Sequence, residues 1–399
     1  MKLNINIIVL VISFILIYIY YKDNYIELQE FFDQDTSTTS TSNNELTSTT
    51  SILNNELTSN IINNAAISKI KLINTLDNDK IIKYFSDIPY NIYNKSMIKS
   101  NKKILVSIAS YRDSQCSITL SDVISKAKYP ENLVVIVCQQ NDIDDSNCIK
   151  EDFLQNTKAT IKQIIIPHTD ARGPCWARFL IQQLWSGEEY YLQVDSHTKF
   201  VDEWDEKCIK CLKQCPKNGS KACLTNYVST FNINTGEIEG NPLRGSMYIE
   251  SVDQVDGFFR YNSKYEEKQY SKPQKSKGWS GCFSFSSSQI LIDAPYDPYT
   301  PFLFFGEETD IFARLYTRGW KMYVPHVPIC FTVFDRSYRK TFWEHPDQAE
   351  IVELSKIRLY LRFGLIDESN INLDIIKKDI NKFNLGTKKT FDNFLNYCN

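Results

Sequence analysis

Short apolar runs alternate with helix-length segments along the first half of the chain. The runs start at Ile104 (ILVSIA), Leu133 (LVVIVC), Thr160 (TIKQIII) and Glu189 (EYYLQV). Each is short and rich in β-branched or aromatic residues, as buried parallel strands are. The alternation predicts βαβ units and therefore an α/β fold with a mainly parallel sheet.

Helical periodicity marks two further segments. Ala177, Leu180, Ile181 and Leu184 recur at positions i, i+3, i+4 and i+7 after a Gly-Pro turn, which predicts one face of an amphipathic helix. Residues 307–316 show a similar period and are followed by a predicted strand at 321–324. Residues 260–278 are polar and predict a loop.

The N-terminal region differs from the rest of the chain. Residues 5–21 form an apolar run that ends in aromatic residues rather than at a small-residue cleavage site, which predicts an uncleaved signal anchor. Residues 33–65 are rich in Ser, Thr and Asn, and the sequence Asn-Asn-Glu-Leu-Thr-Ser starts at Asn43 and again at Asn54. Such a composition cannot bury enough apolar surface to fold, and it predicts a spacer. The predicted organisation is an anchor at 1–22, a stem at 23–100, a catalytic domain at 101–366 and a charged C-terminal tail at 367–399.

Charge and cysteine content limit the possible partners and compartments. The 45 basic and 48 acidic residues give a net charge of -3 without a basic block, which argues against a nucleic-acid partner. Four of the 11 cysteines lie between Cys208 and Cys223. Disulfides are expected there rather than a zinc site, provided that the compartment is oxidising. With the anchor, this predicts a single-pass type II protein of the Golgi or ER-Golgi membrane, with its catalytic domain in the lumen.

Candidate chemistry gathers at the predicted strand ends. Asp195 ends one strand, and because alternate residues point to the same side, Asp195 and His197 can share a divalent cation. Tyr111, Arg112 and Asp113 leave the first strand at the same sheet edge, where nucleotides bind in open α/β sheets. Two further segments carry charge at helix starts: Arg172 and Arg178 flank a turn suited to phosphate, and three carboxylates, Glu307, Glu308 and Asp310, follow Gly306.

Six sequence blocks resemble one known family. They are VSIASYRD at 106–113, ARGPCWAR at 171–178, YYLQVDSHTKF at 190–200, GWSGCFSF at 278–285, PFLFFGEETDIFARLYTRGWKMYVP at 301–325 and FDRSYRKTF at 334–342. Together they are similar to the polypeptide α-N-acetylglucosaminyltransferases, the retaining GT-A enzymes of glycosyltransferase family sixty. The resemblance implies a Rossmann-like GT-A domain, UDP-GlcNAc as donor, a divalent metal, generally manganese, and polypeptide Thr or Ser as acceptors.

The resemblance also implies roles for individual residues. Asp195 and His197 would bind the metal in a D-x-H motif. The expected donor-binding and catalytic residues are Ser107, Tyr111, Arg112 and Asp113 beside the uridine, Arg178 near the diphosphate, Trp279, Ser280 and Gly281 at the sugar or acceptor, and Glu307, Glu308 and Asp310 beneath the transferred sugar. In one departure, Thr332 stands where relatives have a third metal ligand, a histidine. Three alternatives stay open: a UDP-GalNAc-using enzyme, a hydroxyproline-directed GlcNAc-transferase, and an inactive carbohydrate- or protein-binding module of the same fold.

Overall fold

An eight-stranded mixed sheet forms the centre of the molecule. The computed structural model describes residues 60–67, 69, 78–150, 157–266, 268–367 and 374–398. The sheet has the strand order β3-β2-β1-β4-β10-β6-β11-β9. Its strands are β1 (Ile104–Tyr111), β2 (Leu133–Asn141), β3 (Thr160–Pro167), β4 (Tyr190–Asp195), β6 (Ala222–Thr225), β9 (Gln274–Ser276), β10 (Phe283–Ser287) and β11 (Lys321–Val324). Two smaller sheets pair β5 (Thr198–Phe200) with β12 (Cys330–Thr332), and β7 (Arg244–Val252) with β8 (Phe259–Tyr265).

The strand directions confirm the mixed, mainly parallel sheet. Strands β1 to β4 run parallel to one another, whereas β10 is antiparallel to both β4 and β6. Strand β11 is parallel to β6, and β9 is antiparallel to β11. The carboxyl ends of β1 and β4 therefore meet at one edge, with Ala109 opposite Asp195 in the register.

Helices cover both faces of the sheet. They are α1 (Asn78–Phe85), α2 (Cys116–Ser125), α3 (Pro174–Gln182), α4 (Trp204–Gln214), α5 (Ile290–Asp293), α6 (Glu307–Thr317), α7 (Gln348–Phe363), α8 (Asp374–Lys377) and α9 (Phe391–Cys398). Alternate residues of β1 enter two separate cores: Leu105 joins the core that includes α3, α6 and α7, and Val106 joins the core that includes α2 and α4. Both faces of the strand are buried, which explains why its sequence reads as a continuous apolar run.

The structure differs from one expectation about a polar segment and adds to another. The prediction of a loop at 260–278 was wrong, because this segment contains β9 and most of β8, which pairs with β7. Within the predicted charged C-terminal tail, α9 packs on α6, with Phe394 against Phe312 at a ring distance of 5.1 Å. In both segments buried apolar residues are interspersed with polar and charged residues. The average composition of each segment therefore does not reveal which positions are buried.

The cysteines follow the expectation only in part. One disulfide joins Cys116 at the start of α2 to Cys148, with a Cα–Cα distance of 5.1 Å. The other nine cysteines are free and buried, including Cys208, Cys211, Cys215 and Cys223, so no disulfide forms in the cluster that suggested one. Within the described ranges, no group of three or more His, Cys, Asp or Glu is arranged to hold a metal ion.

The predicted anchor at 1–22 lies outside the described residues, as does most of the Ser- and Thr-rich stretch. In the part of the chain that the structure does describe, no helix has the length and apolarity needed to cross a membrane.

Candidate active site

The Asp195-Ser196-His197 turn connects the central sheet to β5. Strand β4 ends at Asp195, and β5 starts at Thr198, whose hydroxyl donates a hydrogen bond to the Asp195 carbonyl at 2.8 Å. His197 Nε2 lies 3.7 Å from Asp195 Oδ2. Since a metal–ligand bond to nitrogen or oxygen is roughly 2 Å, this separation suits two ligands of one cation.

A buried carboxylate fixes the orientation of His197. The Nδ1 atom of His197 lies 2.8 Å from Asp113 Oδ2, and the Asp113 side chain is fully buried. Burial alone would raise the pKa of Asp113, but the hydrogen bond and charge of His197, with Arg339 and Ser196, lower it to about 2. Because Asp113 is then an anion that only accepts, Nδ1 donates to it, and Nε2 is the ring nitrogen that faces Asp195.

Asp113 has a different position from the one predicted. It was expected beside the uridine, yet both of its oxygens are occupied by protein groups. Ser196 Oγ donates to it at 2.7 Å, Tyr338 Oη at 3.1 Å, and the Gln115 amide at 3.0 Å. The structure therefore places Asp113 behind the predicted metal ligands, where it orients His197.

Arg178 brings three of the predicted motifs together. Its Nη1 donates to Glu307 Oε1 at 2.5 Å, and its Nη2 donates to Asp195 Oδ1 at 2.9 Å and to the Gly281 carbonyl at 3.2 Å. A Cβ at Gly281 would lie 3.1 Å from Arg178 Nη1, so a side chain there would require the guanidinium to shift by a few tenths of an ångström. The guanidinium thus links the end of β4, the loop before β10 and the start of α6.

Two neighbouring glutamates at the start of α6 have different surroundings. Glu307 is buried and accepts from both Arg178 and the Tyr296 hydroxyl. Glu308 accepts from the Tyr227 hydroxyl at 2.5 Å and from the Gly281 amide at 3.1 Å. Burial raises the pKa of Glu308 to about 7, and the nearby Glu307 adds to this while Tyr227 and Gly281 oppose it. One carboxylate therefore pairs with an arginine, and the other can carry a proton near neutral pH.

Other predicted site residues lie away from this cluster. Asp310 pairs with Arg362 of α7 and lies 3.6 Å from Arg314, within a buried network that also contains Asp297. Trp279 is buried and donates to Ser284 Oγ at 3.1 Å. Ser107 is buried in the middle of β1, four residues before the strand ends. These contacts are those of core residues.

Tyr111 and Arg112, which were predicted to lie beside the uridine, are located at the edge of the sheet. Tyr111 ends β1 and is partly buried. Arg112 adopts a positive φ of 48° and turns toward the loop after β2, where its Nε donates to Asp145 Oδ2 at 2.8 Å and its Nη2 lies 3.2 Å from Asp142 Oδ2. The two residues flank the cluster without joining it.

Sequence reasoning missed four residues of this site. Tyr227 and Tyr296 hold the two glutamates, Tyr338 contacts Asp113, and Arg336 lies over the rings of Phe304 and Trp343 at 5.1 and 5.0 Å. Burial lowers the pKa of Arg336, and the charge of Asp195 opposes this shift. Arg336 and Tyr338 stand in the FDRSYRKTF block, which offered a signal, whereas the isolated tyrosines 227 and 296 offered none.

Thr332 lies directly beside the predicted metal ligands. Strand β12 pairs Thr332 with Thr198 of β5, and the Thr332 hydroxyl donates to the His197 carbonyl at 3.2 Å. Position 332 is thus next to the D-x-H turn, where the resemblance implies a third ligand. In this chain the donor set at the turn consists of the Asp195 carboxylate and the His197 imidazole.

The family is decided by a match to a family model. The model described as Glycosyltransferase (GlcNAc) matches residues 103–160 and 153–399, which is well over half of the chain. The chain belongs to the GlcNAc glycosyltransferase family. The prediction of a glycosyltransferase is confirmed at this level, and the matched region includes every residue of the site.

Solved structures show a more distant similarity. GalNAc-T7 with UDP, GalNAc and Mn2+ is 17% identical with a TM-score of 0.47, and the match covers 74% of this chain and 56% of that one. S. aureus TarS 1-349 in complex with UDP-GlcNAc is 14% identical with a TM-score of 0.43, and the match covers 70% of this chain and 72% of that one. The glycosyltransferase thus spans little more than half the length of GalNAc-T7. No curated protein matches the chain.

The raised pKa of Glu308 makes the stability of this glycosyltransferase depend on pH. The folded-state pKa of about 7 exceeds the ordinary value of 4.5, so the folded protein keeps a proton that the unfolded chain releases. Stability is therefore lost as the pH rises from 4.5 through 7. We expect Glu308→Gln to raise the thermal midpoint by roughly 2 °C or more at pH 8, with the difference vanishing near pH 4.5, in melts across this range.

The matched control is Glu206→Gln on α4. Lys128 and then Lys210 lower the pKa of Glu206 through hydrogen bonds, so this substitution should lower the midpoint slightly at pH 8 rather than raise it. A Glu308→Gln effect of equal size at every pH would show that Glu308 does not titrate near neutrality.

Proposed function

We propose that the chain transfers GlcNAc from UDP-GlcNAc to Thr or Ser hydroxyls of secretory polypeptides, as a metal-dependent, retaining enzyme of the GT-A type. The main support for the proposal is that Asp195, Gly281 and Glu307 all contact the buried Arg178. The chain also matches the family model described as Glycosyltransferase (GlcNAc). The contacts with Arg178 assemble, at one sheet edge, residues from four of the six blocks that resemble family sixty.

Asp195 Oδ2 and His197 Nε2 would hold the divalent cation. The residues fit this role, since a carboxylate oxygen and an oriented imidazole nitrogen are ligands that manganese accepts. When bound, the cation would neutralise charge on the leaving diphosphate. Asp113 keeps His197 in the required tautomer, as outer-shell carboxylates do for metal-bound histidines.

Arg336 is the residue best suited to the diphosphate. Unlike Arg178, it forms no ion pair with a carboxylate in the described part of the chain, and the Phe304 and Trp343 rings hold its guanidinium in place. The charge of Asp195 also acts on it. Arg178, which the sequence assigned to the diphosphate, instead holds Asp195 and Glu307 at fixed positions.

The arrangement of the glutamates favours front-face attack over a covalent sugar ester. Glu307 would be a poor nucleophile, because Arg178 and Tyr296 share one of its oxygens and the guanidinium stabilises its charge. Glu308, with a pKa of about 7, can orient the sugar or acceptor by hydrogen bonding. The acceptor hydroxyl would then give its proton to the departing diphosphate, and configuration would be retained without an enzyme-bound sugar.

A Golgi or ER-Golgi location, with the domain in the lumen, is part of the proposal. The Cys116–Cys148 disulfide supports an oxidising compartment. Two sequences, Asn94-Lys95-Ser96 and Asn218-Gly219-Ser220, have the pattern of N-glycosylation sites. Both asparagines are exposed, so they are accessible for glycosylation in the lumen.

Transfer itself is tested with UDP-GlcNAc, Mn2+ and Thr-rich peptides. We expect the wild-type chain to release UDP and to modify the peptide, and we expect Asp195→Ala to lower the rate at least about 100-fold by removing a metal ligand. Asp195→Asn is the second variant, since its amide oxygen can still accept from Arg178 while the ligand charge is lost. Both variants should fold and should show this loss of activity. Donor binding without turnover of any UDP-sugar would favour the alternative of an inactive carbohydrate- or protein-binding module, which the threonine at position 332 suggests.

The metal site has its own test, independent of turnover. Asp113→Asn should weaken Mn2+ binding by about 10- to 100-fold, because the neutral side chain no longer fixes the tautomer of His197. Binding is measured by the loss of the free Mn2+ signal in electron paramagnetic resonance. Asp145→Asn is the control, because Asp145 pairs with Arg112 and does not touch His197. Equal affinities for both variants would remove Asp113 from the metal site.

A further inference from the structure

A cleft lies between the start of β7 and the loop that follows β11. Its larger part has a volume of about 310 Å³ and its smaller part about 270 Å³, and both are lined by Leu243, Arg244 and Pro325. Because the two parts share these residues they are continuous, and we refer to them together as the Arg244 cleft. Cavities of this size can hold several side chains of a ligand.

The smaller part of the Arg244 cleft ends close to the candidate active site. Asn226 lines it, and the next residue, Tyr227, donates to Glu308. Cys330 also lines it, and Thr332, which lies beside the D-x-H turn, follows two residues later along β12. Two residues of a strand span roughly 7 Å. A chain bound in the cleft could therefore continue to the turn.

Arg244 is held in place where the two parts join. It lies opposite Tyr265 in the pairing of β7 with β8, and its guanidinium is 4.3 Å from the centre of the Tyr265 ring. Its Nε donates to Ser263 Oγ at 3.1 Å. In the part of the chain that the structure describes, its two Nη groups form neither a hydrogen bond nor an ion pair. A guanidinium that is fixed in this way can bind a carboxylate through two hydrogen bonds.

Positive side chains predominate in the larger part of the cleft. Lys268 lines it, and Lys272 and Lys275 stand before and after Gln274, another residue of its wall. The three lysines are exposed, and none of them forms an ion pair with a described residue. Glu266 also lines this part, and its Oε1 accepts from the Lys268 amide at 3.1 Å. The cleft is therefore complementary to a negatively charged ligand.

We propose that the Arg244 cleft binds an acidic stretch of the acceptor polypeptide, with a carboxylate on Arg244 while the acceptor hydroxyl lies at the D-x-H turn. The inference rests on the proposed function, for which it names the class of acceptor. The concave shape and the apolar smaller part suit the side chains of an extended peptide, whereas a flat membrane surface does not enter such a cleft. Because the cleft leads away from the turn in one direction, the acid lies on one side of the acceptor residue.

The position of the acid is tested with peptides that contain one Thr and one Glu, with the Glu moved to successive positions before and after the Thr. Initial rates are measured with the purified full chain, Mn2+ and UDP-GlcNAc. We expect KM to fall about fivefold at neighbouring positions on one side of the Thr, with kcat unchanged. Equal gains on both sides, or no gain at any position, would overturn the proposal.

Variants of Arg244 test whether this residue reads the acid. Arg244→Gln should raise KM for the preferred Glu peptide about fivefold and leave kcat and the KM for its Gln counterpart unchanged. Arg244→Glu should instead prefer a peptide with Lys at that position, which a loss of stability alone would not produce.

The matched control is Lys83→Gln, which removes one positive charge from α1, where Lys83 pairs with Asp347. This variant should keep the wild-type preference for the Glu peptide. A preference that persists in Arg244→Gln, or that disappears equally in Lys83→Gln, would contradict a role of Arg244 in recognition.

Fluorescence anisotropy of labelled Glu and Gln peptides, measured without donor, separates the two proposals. Transfer without a preference that depends on Arg244 would overturn the cleft proposal and leave the proposed function intact. Binding of the Glu peptide that depends on Arg244, without transfer to any peptide, would support the acidic-peptide site and overturn the proposed function. Binding to phosphatidylserine nanodiscs that depends on Arg244, with no preference between the peptides, would overturn the cleft proposal in favour of a lipid headgroup.

Discussion

The candidate site depends on one buried guanidinium. Arg178 contacts the Asp195 and Glu307 carboxylates and the Gly281 carbonyl, and these groups come from β4, α6 and the loop before β10. Removing one partner of a buried ion pair leaves an uncompensated charge and typically costs about 3 to 5 kcal/mol. The three elements are therefore held at fixed positions relative to one another, and Asp195 keeps one oxygen directed at His197 while its other oxygen is bound.

This constraint separates the roles of neighbouring acidic residues. Glu307 is fixed by Arg178 and Tyr296, whereas Glu308, one residue later, faces Tyr227 and has a pKa near neutrality. Asp113 is buried behind His197 and kept ionised by its donors. One carboxylate thus pairs with an arginine, the second can hold a proton near neutral pH, and the third orients a histidine. The functional difference lies in their hydrogen-bond partners rather than in their residue types.

Features that depend on local periodicity could be predicted from the sequence. The strand ending at Asp195, the glycine before Glu307 and the two-residue spacing of Asp195 and His197 are of this kind. Contacts between distant segments could not be predicted. Asp310 was predicted to be catalytic, but it forms a buried ion pair with Arg362, which lies 52 residues later in the chain. Asp113 meets His197 across 84 residues, and Thr332 reaches His197 only through the pairing of β12 with β5. The hairpin at β8 and the packing of α9 were missed because their buried positions alternate with charged ones.

Under the proposed function, Asp195 and His197 share one cation beside the Arg178 cluster. Anomalous diffraction at the manganese edge, from crystals of the protein grown with Mn2+ and UDP, tests this most directly. We expect one peak within bonding distance of both Asp195 Oδ2 and His197 Nε2, with the diphosphate completing its coordination near Arg336. A bound UDP whose diphosphate has no manganese peak beside it, or a peak that contacts neither residue, would show that the two residues do not bind the metal together.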